Sequence, residues 1–182
     1  MNLILLTLAL TMADTTLSRQ YVDSLHNFRL TFPESISIHV LNSLETNISS
    51  RQGLLCRLSI LSLDDPVYTL MPTDDPLART AIDGSLYFAD GPDGGEECRP
   101  SDHFSFGTLN NGLRFVKFYL NRTDYYTHQK TTHRIVGPFF GIDITRGKGK
   151  YVLLIVDAWH TPSTAQKEEV FWDIVRSISL VK

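Results

Sequence analysis

The stretch Asp90 to Asp102, DGPDGGEECRPSD, gathers five acidic residues, three glycines and Cys98 within thirteen positions. Carboxylates and glycines together suit a hard cation such as calcium, whose ligands are oxygens and whose loop must turn sharply between them. The spacing does not follow the helix–loop–helix calcium motif: counted from Asp90, the third position is Pro92 and the fifth is Gly94. The glycine-rich calcium repeat is missing its aspartate as well. Glu96, Glu97, Asp102 and His103 remain as candidates for an irregular metal site, set against the plainer reading of a solvated acidic loop. A phosphate cradle fails on charge, because no lysine follows the glycines and five carboxylates would repel the ligand.

The chain has six histidines. His128 and His133 are neighbours in THQKTTH, but zinc needs further ligands, which only His103 and the loop acids could supply. Surface histidines are the plainer reading. No Gly-x-Ser-x-Gly elbow is present, and Asp157 with His160 forms a hydrolytic pair only if a serine elsewhere joins them. In RTDYYTHQKTTH, Tyr125 and Tyr126 stand beside His128, Lys130 and His133. Amphipathic aromatics next to cations suit a recognition surface; an ordinary hairpin connection is the alternative. Nothing in the sequence calls for a cofactor.

A chain of 182 residues with 42% hydrophobic and 20% charged residues is long enough for one domain with its own core. The net charge of −3 argues against nucleic acid, which is bound through clustered cations. The charge is unevenly spread: residues 64–102 carry ten acidic residues against Arg79 and Arg99, whereas 103–182 carry eleven basic against six acidic. Such segregation either steers a charged partner or keeps one fold soluble.

Residues 3–13 form an apolar run of signal-peptide length, too short to cross a bilayer as a helix. Thr11 and Ala13 are small enough for a cleavage site before Asp14, although no Lys or Arg precedes the run. The expected organisation is a leader over 1–13 and one domain over 14–182 with an acidic insertion at 64–102; a buried first helix or strand is the competing reading of the run. Without the leader no segment is apolar enough to span a membrane. An exported chain meets an oxidising compartment, where Cys56 and Cys98 could form a disulfide. Closing a loop of about 43 residues would contribute on the order of 4 kcal/mol in the chain-entropy model. The alternative is two thiols, with Cys56 buried on the strand face of Leu54, Leu58 and Ile60. Asn47-Ile48-Ser49 and Asn121-Arg122-Thr123 are possible glycan acceptors in a eukaryotic secretory pathway.

The elements that must position these groups are mostly strands. Phe28, Leu30 and Phe32 alternate before Pro33, and Ile36, Ile38 and Val40 alternate after it. QGLLCRLSILSL reads as a longer strand. Asp75 as cap with Pro76 at the first helical position starts a short helix ending at Ala81 or Ile82. HFSFGTL, GLRFVKFYL, HRIVGPFFGIDIT and KYVLLIVDAWH read as an antiparallel meander, with a hairpin turn at Asn110-Asn111-Gly112. The last of these strands is apolar at nearly every position, so both of its faces need cover. Ser163 can cap a closing helix whose apolar face is Phe171, Ile174, Val175 and Ile178, leaving Lys167, Glu168, Asp173 and Arg176 to water. The expected fold class is α+β: a central antiparallel sheet covered by helices on both faces, an α/β/α sandwich.

Two ends of the chain resemble the PsbP-like domain family, which has a relative among Ran-binding import factors. The opening YVDSLHNFRLTFP is similar to the family's first strand through Tyr21, Asp23, Phe28, Leu30, Phe32 and Pro33. The close EVFWDIVRSISLVK resembles its last helix through Phe171, Ile174, Val175, Ser177, Ile178 and Leu180. The chain departs from the family in lacking a Trp soon after Phe32-Pro33 and in its acidic insertion. The resemblance implies an antiparallel sheet between helices and a non-catalytic accessory or binding domain with a protein partner. It carries over no catalytic residue. The expected function is therefore an exported binding protein, with a small-ligand or metal-binding envelope protein and a hydrolase as alternatives.

Overall fold

A computed structural model of the chain describes residues 18–33, 35–50, 53–64, 75–82, 96–125, 131–146, 150–157 and 165–181. The expected leader lies outside the described residues, as do Tyr126, His128, Lys130 and His160. Ten strands are described: β1 (Ser18–Asp23), β2 (Phe28–Pro33), β3 (Ser37–Val40), β4 (Glu45–Ser50), β5 (Gly53–Ser62), β6 (Glu96–Thr108), β7 (Arg114–Tyr125), β8 (Thr131–Asp143), β9 (Tyr151–Asp157) and β10 (Ser179–Leu180). The described helices are α1 (Pro76–Ile82) and α2 (Ala165–Ser177).

The strands form a small sheet of order β1-β2-β10 and a seven-stranded sheet of order β3-β4-β5-β9-β8-β7-β6, antiparallel throughout. The expected meander is present as β6 to β9. Strand β9 joins it to the amino-terminal strands by pairing with β5, from Cys56 opposite Asp157 to Ser62 opposite Tyr151. Its all-apolar sequence is explained by two cores. Leu153 and Ile155 enter a cluster with Phe28, Leu30, Phe32, Leu58, Phe140 and the face Phe171, Ile174, Val175 and Ile178 of α2. Val152, Leu154 and Val156 enter a second cluster with Leu61, Leu77, Val116, Phe118, Leu120 and Phe139.

The sheet covered by helices on both faces is not what forms. Strands take up 64% of the described residues and the two helices are short. The α2 face is closed jointly by the small sheet, through Phe28, Leu30 and Phe32 of β2, and the opposite face by Leu77 of the seven-residue α1. An apolar strand demands cover, but a second sheet satisfies that demand as well as a helix does.

The start of α1 follows its sequence signal. Asp75 Oδ1 accepts from the Leu77 amide at 3.0 Å, and its Oδ2 accepts from Arg114 Nη2 of β7 at 2.8 Å. Burial pushes the Asp75 carboxyl up, but Arg114 and the helix amides outweigh it and hold the group below its ordinary value of 3.8. A lowered carboxyl contributes stability above its unfolded pKa and loses it as pH falls through the folded one. Asp75→Ala should therefore lower stability by about 1 kcal/mol at neutral pH, and thermal melts of the two chains should draw together as pH falls below the ordinary carboxyl value.

Glu168 is not left to water as its helical position implied. Lys117 Nζ and the Tyr119 hydroxyl, both on β7, donate to its two carboxylate oxygens at 2.8 and 2.6 Å. This ties the first turn of α2 to the sheet. Burial pulls Lys117 down, yet Glu168 and Tyr119 outweigh it and raise it above 10.5; burial and Glu168 together raise Tyr119 above 10.0. Raised groups hold their protons more tightly when folded, so their contribution is complete below the unfolded pKa and is lost as pH rises through the folded one. Glu168→Gln should cost about 1 to 2 kcal/mol near neutral pH. In urea unfolding the gap from the parent chain should then narrow above about pH 10.

Candidate functional site

The acidic stretch is not a single loop. From Glu96 onward it is β6, the outermost strand of the large sheet among the described residues, with Glu96 opposite Asp124, Glu97 opposite Thr123 and Cys98 opposite Arg122 of β7. His103 is exposed on β6, and His133 is exposed on β8 with its Nδ1 3.0 Å from Thr123 Oγ1. Strand β7 runs between them, so two strand spacings, roughly 10 Å, separate the two backbones. Among the described residues no three His, Cys, Asp or Glu side chains converge on a possible metal position. Asp102 lies in β6 beside the irregularity between Pro100 and Phe104.

The expected Cys56–Cys98 bridge does not form: there is no disulfide among the described residues, and Cys56 is buried in the core of the α2 face. Sheet order explains why. Cys56 is on β5 and Cys98 on β6, with β9, β8 and β7 between them. Four strand spacings amount to roughly 19 Å across the sheet, against about 4.4 to 6.8 Å between the Cα atoms of a disulfide. The support that a bridge would have lent to an oxidising compartment falls away.

Of the tyrosine-rich stretch, Tyr125 ends β7 opposite Thr131, and His133 lies on β8 opposite Thr123. The stretch is thus the β7–β8 connection, with its flanks on strands. Asp157 closes β9 opposite Cys56, while its expected partner His160 lies outside the described residues.

A different histidine meets a carboxylate. His26 Nδ1 is 2.9 Å from Asp23 Oδ2, and the His26 amide donates to Asp23 Oδ1 at 2.9 Å. The two side chains are only 5% and 11% exposed, and the imidazole stands edge-on to Tyr151 at 5.4 Å. The carboxylate orients the ring, as in a general-base pair. Here it also locks the β1–β2 turn against β9. The signal was an Asp-x-x-His in a turn beside Asn27, whose φ of 58° suits asparagine.

The strongest surface feature is on β6. Phe104 and Phe106 are 56% and 48% exposed and meet edge to face at 5.8 Å. They lie opposite Phe118 and Val116 of β7, so they continue the apolar layer of the α1 face beyond its cover. Alternation in HFSF marks one apolar face but cannot say that the strand is outermost. An outermost strand leaves a row of backbone donors and acceptors open to a further strand. Pro100 and the adjoining irregularity interrupt the first half of β6, and 104–108 is regular. An open ladder beside two exposed rings can receive an extended polypeptide, the backbone giving affinity and the rings selectivity.

The two antiparallel sheets and two helices among the described residues form a PsbP-like fold. The chain is similar to the solution structure of cyanobacterial PsbP (CyanoP) from Synechocystis sp. PCC 6803, with a TM-score of 0.55 and 12% identity over 93% of this chain and 95% of that one. No family model matches the sequence, and no curated protein matches it. The likeness is one of fold.

Proposed function

We propose that this chain is an exported, non-catalytic accessory protein that acts by binding another protein along the open edge of β6. The observation that carries the reading is the exposed Phe104–Phe106 pair on an edge strand. A contiguous apolar patch at a sheet edge is costly to leave in water unless something covers it. The PsbP-like fold supports the accessory role, and the apolar run at 3–13 supports export. Among the described residues no helix is long and apolar enough to cross a membrane.

The test is a photo-crosslinker placed at position 106 of the full chain in its native host. One discrete adduct, lost when Phe104→Asp is introduced in a chain that melts at the parent temperature, supports the reading. Adduct formation that is absent, or that persists unchanged in the Phe104→Asp chain, removes it.

A further inference from the structure

At the end of the sheet where β6 turns into β7 and β8 turns into β9, a cavity of 410 Å³ is lined by Asn111, Gly112, Arg114, Asp143 and Arg146. Most of its polar wall is already used. Asn111 Nδ2 donates to the Ile178 carbonyl at the exit of α2, and its Oδ1 accepts from the Leu113 amide at 3.1 Å. The Gly112 amide donates to the Leu109 carbonyl at 2.8 Å. Asp143 is 1% exposed, and its Oδ1 takes both the amide and the hydroxyl of Thr145 at 2.9 Å. Arg114 spends Nη2 on Asp75, which is itself occupied as the cap of α1.

Arg146 differs. Among the described residues its side chain joins no ion pair or hydrogen bond, and it is exposed at the cavity wall. Its φ of 54° places it in the left-handed region, where glycine or asparagine is at ease and a long side chain is not. The chain nevertheless has arginine here, at the head of the sequence RGKGK with three cations in five residues. The donors left at this wall are cationic: the fork of Arg146 and the remaining N–H groups of Arg114.

We infer that this cavity binds an oxyanion, a phosphate or carboxylate group carried by a small ligand, held between the guanidiniums of Arg146 and Arg114. A guanidinium fork matches such groups through two parallel hydrogen bonds. The space is that of a small-molecule pocket. Asp143 and Asp75 offset the charge of the two arginines, so the group is held by the directed fork of Arg146 rather than by a net positive field.

The experiment titrates the full chain with inorganic phosphate and, separately, with acetate, at constant ionic strength in potassium chloride, following the melting temperature and the arginine side-chain NMR signals. Phosphate or acetate should raise the melting temperature and shift the Arg146 signal in a saturable way. Arg146→Asn, which suits the left-handed backbone, should melt no lower than the parent without anion, yet need at least tenfold more anion for the same shift. Arg146→Lys, which keeps the charge without the fork, should fall between them. A response to phosphate but not acetate assigns a tetrahedral group, and the reverse a planar one. No response to either anion, an unchanged response in Arg146→Asn, or stabilisation by calcium instead overturns the inference.

Discussion

Phe140→Ala should remove about 3 to 5 kcal/mol of stability, the largest loss expected from a single side chain in this molecule. Phe140 is fully buried in the last third of β8, with its ring 5.1 Å from Trp172 of α2 and 6.4 Å from Phe115 of β7. It also shares the core with Ile155 directly opposite on β9. Truncation leaves a cavity that three elements would have to move together to fill. Domains of this kind are stable by only about 5 to 15 kcal/mol, so the loss is a large part of the whole. Urea unfolding should show a lower midpoint with an unchanged slope, and Phe140→Leu should recover much of the difference. A shift below about 1 kcal/mol would mean that these rings do not form a packed junction.

Gly107→Val should cost about 1 to 3 kcal/mol through crowding rather than through a cavity. Gly107 lies opposite Phe115, and a Cβ added there would stand 2.5 Å from Phe115 Cζ and 2.7 Å from its Cε1. The ring cannot simply swing away, since it meets Trp172 edge to face at 5.1 Å and is 8% exposed. The glycine is thus required by close approach. Gly112 is the opposite case: it has open space around it and a φ of 85°, so substitution there strains the backbone instead. If crowding is the cause, Phe115→Leu in the Gly107→Val background should restore part of the loss, and a thermodynamic cycle will measure that coupling. Strictly additive effects would rule the explanation out.

Much of the local structure was legible. The alternation of Phe28, Leu30 and Phe32, the Asp75-Pro76 helix start and the apolar face of α2 all lie where their periodicity put them. The double burial of β9 was legible too, because only a strand between two cores can be apolar at every position. What escaped were pairings between distant segments. Strand β4, ETNISS, is rich in residues that favour turns and carries only Ile48 and Thr46 into burial; its neighbours β3 and β5 make it a strand. Strand β1 is visible only once β2 offers an edge. Phe104 and Phe106 repeat the apolar alternation of a core strand, and position at the rim of the sheet has no local signature. The Cys56–Cys98 expectation failed for the same reason: compartment and spacing suggest a bridge, but only strand order says how far apart the two residues lie.

The β5–β9 pairing also governs how the chain must assemble. Within the large sheet, β3, β4 and β5 follow one another, as do β6, β7, β8 and β9, so each group can grow from near neighbours in sequence. One ladder joins them, and it brings Cys56 to Asp157 and Ser62 to Tyr151 across about half of the chain's length. Ladders between such remote segments must meet the entropy of a long closure before their contacts form. Until β9 docks on β5, its five buried side chains from Val152 to Val156 lack much of their final cover. Refolding of the large sheet should therefore be limited by that seam, as closing the small sheet waits on the still more remote β2–β10 pairing, and the half-assembled sheet is where the chain is most exposed to aggregation.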